Sequence, residues 1–161
     1  MLSPVLNNKK RTVPVMLLSV IAVVLLADQF SKFLIRDLLL FGQSIPATGF
    51  FRFTHVYNTG SLFGIFQGYN FPLILASALA VGLLIWIYKS YSNKGTLIKL
   101  SLGLQLGGAL GNLSDRLWLG HVTDFIDIGI WPVFNIADSS IVVGLFILGF
   151  LVLTEKSESS S

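Results

Sequence analysis

The chain has no cysteine. That excludes disulfides, thiol nucleophiles, cysteine-bound zinc and cysteine-linked lipid. Histidine is almost as scarce. His55 and His121 cannot build a metal site by themselves, and could only complete one with carboxylates. Charge is the third shortage. Asp, Glu, Lys and Arg make up 12% of 161 residues, against 53% hydrophobic residues. The usual globular share of charge is roughly twice that. There is no internal repeat, and no basic-aromatic stripe that would bind nucleic acid.

The few charges are not scattered. Arg11 is followed by sixteen uncharged residues and then Asp28, and Lys99 by fifteen and then Asp115. Reading back from Glu155, sixteen uncharged residues lead to Asp138, and a further stretch from Tyr69 to Tyr88 carries no charge. At about 1.5 Å per helical residue, each aspartate lies roughly 23–25 Å from one membrane face. The hydrocarbon layer is about 30 Å thick. Three carboxyl groups on three spans are therefore expected at one shared depth toward the opposite face. Each costs on the order of 2.5–3.5 kcal/mol to place there, so a chain that does so three times uses the arrangement.

The net charge of +3 is a topology signal. Lys9, Lys10, Arg11, Lys89, Lys94, Lys99 and Lys156 flank the spans on one side with Glu155 and Glu158. The other side holds Lys32, Arg36, Arg52 and Arg116 with all six aspartates. By the positive-inside rule both termini and the 89–99 link are expected in the cytoplasm. Segments 36–68 and 115–137 are expected on the outer face. Span one is not read as a cleaved signal peptide, because Leu25-Leu26-Ala27-Asp28 lacks the small residue three before a cut.

The expected fold is an all-α membrane protein, a single integral membrane domain over 1–161. It has four transmembrane helices at about 13–35, 69–88, 97–114 and 138–154, a small extracytoplasmic β-sheet and an interfacial loop or short helix. The sheet is expected from Phe51-Arg52-Phe53-Thr54-His55-Val56-Tyr57, which alternates with period two, and Asn58-Thr59-Gly60 reads as a turn. Its aromatic side, with Phe63 and Phe66 beyond, suits the membrane interface. A turn or short helix is expected around Asp124-Phe125-Ile126-Asp127, and a disordered Ser-rich tail after Glu155. Gly103, Gly107 and Gly111 recur every four residues, a spacing that lets helices approach closely in lipid.

Several polar groups invite both a bland and a functional reading. Asp28 and Lys32 share a helix face and make a structural ion pair. Asn112, Asp115 and Arg116 lie on adjoining faces. Arg116 can pin a carboxylate, with Asp115 as its partner, or bind a substrate carbonyl or lipid phosphate. Asn58 and Asn135 sit at turns, where local backbone capping is the default. Asp124 and Asp138 are fourteen residues apart with Trp131-Pro132 between them. Pro132 breaks a regular helix, so the chain can fold back and bring these carboxyls together. Two adjacent carboxyls share a proton and can act as base and acid on one water. Spacing alone leaves Asp115 and Asp127 as other candidate members of such a pair.

Five segments carry a resemblance. They are Asp28-Gln29-Phe30-Ser31-Lys32, Asn58-Thr59-Gly60-Ser61-Leu62-Phe63-Gly64, Gly111-Asn112-Leu113-Ser114-Asp115-Arg116, Gly120-His121-Val122-Thr123-Asp124-Phe125-Ile126-Asp127 and Phe134-Asn135-Ile136-Ala137-Asp138-Ser139. In order and spacing, across all but the tails, they resemble the motif series of the bacterial lipoprotein signal peptidases (signal peptidase II). Ser31 departs from the commoner threonine, and Ser61-Leu62 from a frequent pair of alanines.

The resemblance implies a catalytic pair at Asp124 and Asp138. It implies substrate-contacting residues at Asn58, Asn112, Arg116 and Asn135, leaving Asp28, Lys32 and Asp115 as structural polar residues. It implies an intramembrane aspartyl endopeptidase of the bacterial cytoplasmic membrane, with no metal and no cofactor. The substrate is a diacylated prolipoprotein, cut just before its lipidated cysteine. The expected partners are that substrate and membrane lipid, with no nucleic acid and a monomeric chain. Two competing classes remain. A proton- or ion-coupled transporter is disfavoured by the lack of an inverted repeat. A structural subunit would use the polar layer only as packing glue.

Overall fold

The structure, a computed structural model, describes residues 15–60, 70–91 and 95–158. Phe63, Phe66, the Ser61-to-Gly64 part of the second motif, the basic residues before span one and Lys94 lie outside the described residues.

Four helices dominate: α1 (Val15–Leu38), α2 (Asn70–Tyr91), α3 (Thr96–Trp118) and α4 (Ile136–Glu158). Among the described residues α1, α2 and the Ile136–Thr154 part of α4 are long and apolar enough to cross a membrane. Their large apolar side chains face outward: Leu26 is 70% exposed, Leu79 66% and Phe146 75%. Such surfaces are expected to meet lipid.

α3 differs because it is the central helix. It packs on α1, α2 and α4 alike. Its buried residues include Ser101, Gln105, Asn112 and Asp115 beside Leu102 and Leu106. Its polar groups therefore face neighbouring helices, which lowers its mean hydropathy below that of the others. Leu17, Leu102 and Leu106 form the apolar core, packed by Ile21, Val81 and Leu84.

The glycine series explains the tight packing of α3. A Cβ on Gly103 would lie 2.9 Å from Val20 Cβ, and one on Gly107 2.7 Å from Val24 Cβ. A Cβ on Gly111 would lie 2.6 Å from Asp28 Oδ2. Gly108 gives the same close approach to α4, where a Cβ would strike the Ala137 carbonyl. Small residues at four-residue spacing thus set α3 against α1 along its length.

The sheet is antiparallel, in the order β1 (Ser44–Ile45), β2 (Arg52–Asn58) and β3 (Val122–Asp127). β2 lies where the alternation placed a strand. β3 corrects the turn or short helix expected around residues 124–127. Val122, Thr123, Phe125 and Ile126 are β-branched or aromatic, and β2 supplies a partner far away in sequence. Val56 pairs with Asp124, Tyr57 with Thr123 and Asn58 with Val122, past an irregularity between Phe53 and Val56. The expected disorder after Glu155 is also corrected in part, since α4 continues to Glu158, and the last three serines lie outside the described residues.

The chain leaves α3 through Leu119, whose N–H bonds Asp115 O, and then Gly120 at φ 78°. A left-handed glycine after the last turn is a common way to end a helix. It turns the chain directly into β3, so that the sheet contacts the C-terminal ends of α1 and α3.

Candidate active site

The aspartates that end the uncharged stretches converge. Lys32 Nζ lies 2.8 Å from Asp28 Oδ2 and 3.1 Å from Asp115 Oδ2, and both Lys32 and Asp28 are wholly buried. Gln29 closes the group, donating to Asp28 Oδ2 at 3.1 Å and Asp115 Oδ1 at 3.0 Å. Asp115 thus pairs with Lys32 rather than with its neighbour Arg116. Adjacent residues on a helix point about 100° apart, whereas a facing helix can present a cation directly. Asp115 Oδ2 also accepts the Thr123 N–H at 3.1 Å, which ties α3 to β3. Gln29 is a polar residue that the sequence reading missed. Its signal is its place beside Asp28, inside the polar Asp28-to-Lys32 segment of a largely apolar span.

The second group forms where α4 begins. Asn135 precedes the first helical residue, and its Oδ1 accepts the Asp138 N–H at 2.9 Å. Asp138 Oδ2 reaches back to the Asn135 N–H at 3.3 Å. This is a capping box, with Asp in place of the commoner Glu. Asp28 Oδ1 takes the Ala137 N–H at 2.9 Å, so a carboxylate from α1 helps to cap α4. The helix start fixes the Asp138 backbone and leaves its carboxyl half-buried at the edge of the bundle.

Asn135 also joins α4 to β3. Its Nδ2 donates to Asp124 Oδ1 at 2.6 Å, and Asn58 Nδ2 donates to Asp124 Oδ2 at 2.9 Å. Asn58 does cap its own turn, accepting the Gly60 N–H at 3.0 Å, but its amide serves the carboxyl at the same time. Asn112 Nδ2 donates to Asp138 Oδ1 at 2.8 Å. Asn112 Oδ1 accepts from Lys32 Nζ at 3.0 Å and from Asn135 Nδ2 at 3.1 Å. Asp124 and Asp138 are thus bracketed by three asparagine amides.

Burial, reinforced by the nearby Asp138 charge, pushes the Asp124 carboxyl up to about 7, although its bonds from Asn58 and Asn135 and the Lys32 charge oppose the shift. A carboxyl in this range holds a proton in a sizeable fraction of molecules near neutral pH.

Among the described residues the other candidates make no bond to this pair. Asp127 is held by Arg52 at 2.7 Å and Thr54 at 2.8 Å. Among the described residues Arg116 bonds no carboxylate. Its Nη1 contacts are long, 3.5 Å to Ser77 Oγ and 3.4 Å to Asn112 O, and its buried Nε has no partner among the described residues. His55 and His121 flank Tyr57, with ring centroids 5.0 Å and 4.1 Å from it, and His55 Nδ1 bonds Leu39 O at 2.8 Å. They pack against the sheet at Tyr57. Beside Asp138 an open apolar cavity of about 420 Å³ runs between Trp131, Phe134, Val142 and Val143.

A helical bundle with apolar outer faces, carrying two neighbouring carboxyls at one end under a small sheet, defines a multi-pass membrane protein. Comparison narrows the class. The profile described as signal peptidase (SPase) II matches residues 20–154. A lipoprotein signal peptidase of Dehalococcoides mccartyi is 50% identical over 133 residues, 80% of this chain and 82% of that protein. One from Moorella thermoacetica is 41% identical over 146 residues, 90% and 96% of the two chains. A solved bacterial membrane enzyme superposes with a TM-score of 0.83 at 28% identity, covering 88% of this chain and 90% of its own. The chain belongs to the signal peptidase II family, and is a protease.

Proposed function

We propose that this chain is an intramembrane aspartyl endopeptidase with Asp124 and Asp138 as its catalytic pair. It removes the signal peptide from diacylglyceryl-modified prolipoproteins, immediately before the lipidated cysteine. The observation that carries this reading is the single residue Asn135, which bonds both carboxyls, Asp124 at 2.6 Å and Asp138 at 3.3 Å.

The chemistry follows from one shared proton. The ionised carboxyl takes a proton from water as the water oxygen attacks the scissile carbonyl carbon. The protonated carboxyl gives its proton to the carbonyl oxygen, forming a neutral tetrahedral diol. Breakdown returns a proton from the diol to the catalytic pair and delivers one to the leaving cysteine nitrogen. The C–N bond breaks, the signal peptide leaves with a new carboxyl group, and the pair again holds one proton.

Asn58 is suited to hold the substrate backbone extended, because its amide can donate to a carbonyl as well as to Asp124. Asn112 and Asn135 hold the two carboxyls, and the loosely bonded Arg116 guanidinium is free to take a substrate carbonyl. The apolar cavity beside Asp138 suits an acyl chain or an apolar signal-peptide residue. The substrate is a membrane helix with lipid at its outer end, so its scissile bond lies at the depth of the pair. Both termini are cytoplasmic, the site faces the outer side, and the monomer is the working unit within a single membrane domain. Reconstitution with a diacylated prolipoprotein tests this directly: release of the signal peptide, seen as a gel shift, supports the reading, and an uncut precursor contradicts it.

A further inference from the structure

An asparagine amide has a donor end and an acceptor end of nearly the same shape, and only its surroundings decide which way it points. Asn112 is the amide in contact with Asp138. If it turned over, its oxygen would face the Asp138 carboxyl and two acceptors would meet. Something must hold Asn112 with its nitrogen toward Asp138. An ammonium has three donors and no acceptor, so it accepts only one orientation of an amide beside it. Lys32 Nζ sits 3.0 Å from Asn112 Oδ1.

We infer that Lys32 is a positioning residue for the reaction, acting through Asn112 to fix the hydrogen-bonding polarity of the catalytic pair. Lys32 takes the Asn112 oxygen, which leaves Nδ2 to donate to Asp138 Oδ1 at 2.8 Å. The same oxygen accepts Asn135 Nδ2 at 3.1 Å, and that nitrogen also donates to Asp124 Oδ1. Asn135 has a second, independent lock, since its Oδ1 is held by the Asp138 backbone N–H. Asn112 has no such backbone lock among the described residues, and its oxygen is held by the ammonium together with Asn135 Nδ2.

This goes beyond ion pairing. Lys32 is wholly buried between Asp28 and Asp115, and a purely structural lysine needs only those carboxylates. Its third bond points at the site. The two carboxylates anchor the ammonium, and the ammonium orients the amide. The apolar stretches that deliver Asp28 and Asp115 to one depth therefore deliver the means of orienting Asn112 as well.

The inference rests on the reading of Asp124 and Asp138 as the catalytic pair, and its test keeps the two separable. Lys32→Met leaves buried Asp28 and Asp115 without a cation, so the charge-balanced Lys32→Met/Asp28→Asn protein carries the experiment. It is purified full length and assayed in lipid with diacylated prolipoprotein. A misplaced catalytic group costs on the order of 100-fold. The expected result is a kcat lower by about that factor, with KM and melting temperature close to those of Asp28→Asn. Adding Asn112→Ala to the charge-balanced protein should cost less than about threefold more, because residues acting in series do not add.

Normal turnover in the charge-balanced protein overturns the inference. So do multiplying losses with Asn112→Ala, or a charge-balanced protein that fails to fold, which assigns Lys32 to structure. Asp124→Asn and Asp138→Asn are run alongside. If they stay active, the catalytic pair itself is wrong. If they are inactive while the Lys32 variants are normal, only the role of Lys32 is wrong.

Discussion

The Nδ2 of Asn135 donates to Asp124 Oδ1 across 2.6 Å, one hydrogen bond joining the start of α4 to β3. Asn135 is wholly buried, and its own backbone begins the helix that carries Asp138. The bond therefore fixes two carboxyls from different elements relative to each other, before any substrate is present. Preorganisation of this kind is what acid–base catalysis needs.

Activity should follow the proton on the pair. Asp124 is raised to about 7, chiefly by burial and then by the Asp138 charge. The profile of kcat/KM against pH should fall on its alkaline side near pH 7, where the pair loses the proton that it donates to the carbonyl. The stability sign is the same. The folded chain holds this proton over a range where the unfolded chain has lost it. This contribution is complete below the ordinary carboxylate value and is lost as pH rises through about 7. A profile flat from pH 5 to 9 in lipid would count against this protonation.

Asn58→Ala should lower turnover and weaken peptide-like inhibitors with little change in melting. It removes a donor from Asp124 Oδ2, so the Asp124 pKa should rise and the alkaline limb should move to higher pH. Kinetics and melting on one purified sample decide the matter. A large stability loss with unchanged turnover per folded molecule would leave Asn58 a turn residue only.

Asp28→Ala should act mainly on stability. It removes the cap on Ala137 N–H and one of the two carboxylates on Lys32. Breaking a buried ion pair costs about 3–5 kcal/mol, although Asp115 remains to pair with Lys32 and should hold the loss toward the low end. Thermal melting in detergent measures it. A wild-type melting curve with no activity would show a direct part in the reaction instead.

Turnover should persist in excess EDTA. The acid–base scheme uses only the two carboxyls and water, and the chain has no cysteine and no paired-histidine spacing. Loss on chelation with recovery on adding zinc would replace the aspartyl scheme with a metal-assisted one.

Much of this site was legible before the structure. The uncharged stretches placed Asp28, Asp115 and Asp138 at one depth, and they do converge around Lys32 and Asn112. The pair of Asp28 and Lys32 followed from helical spacing alone. What the sequence hid were the contacts between elements. Asp115 meets Lys32 rather than Arg116 because α1 and α3 close over three glycines. β3 escaped notice because its aspartates interrupt the apolar pattern and because its partner Val56 lies far back in the chain. Gln29 escaped because an uncharged amide beside a charged residue carries no periodic signal.

The most direct test of the account replaces one oxygen at a time. Asp124→Asn and Asp138→Asn keep the shape of each carboxyl but can neither hold nor release the shared proton. General acid–base catalysis contributes roughly 10²–10⁴-fold, and disabling either partner of a unit removes most of it. With diacylated prolipoprotein in lipid, each variant should insert and fold, and turnover should fall by several orders of magnitude. Cleavage near the wild-type rate by either folded variant would remove that aspartate from the reaction and contradict the account.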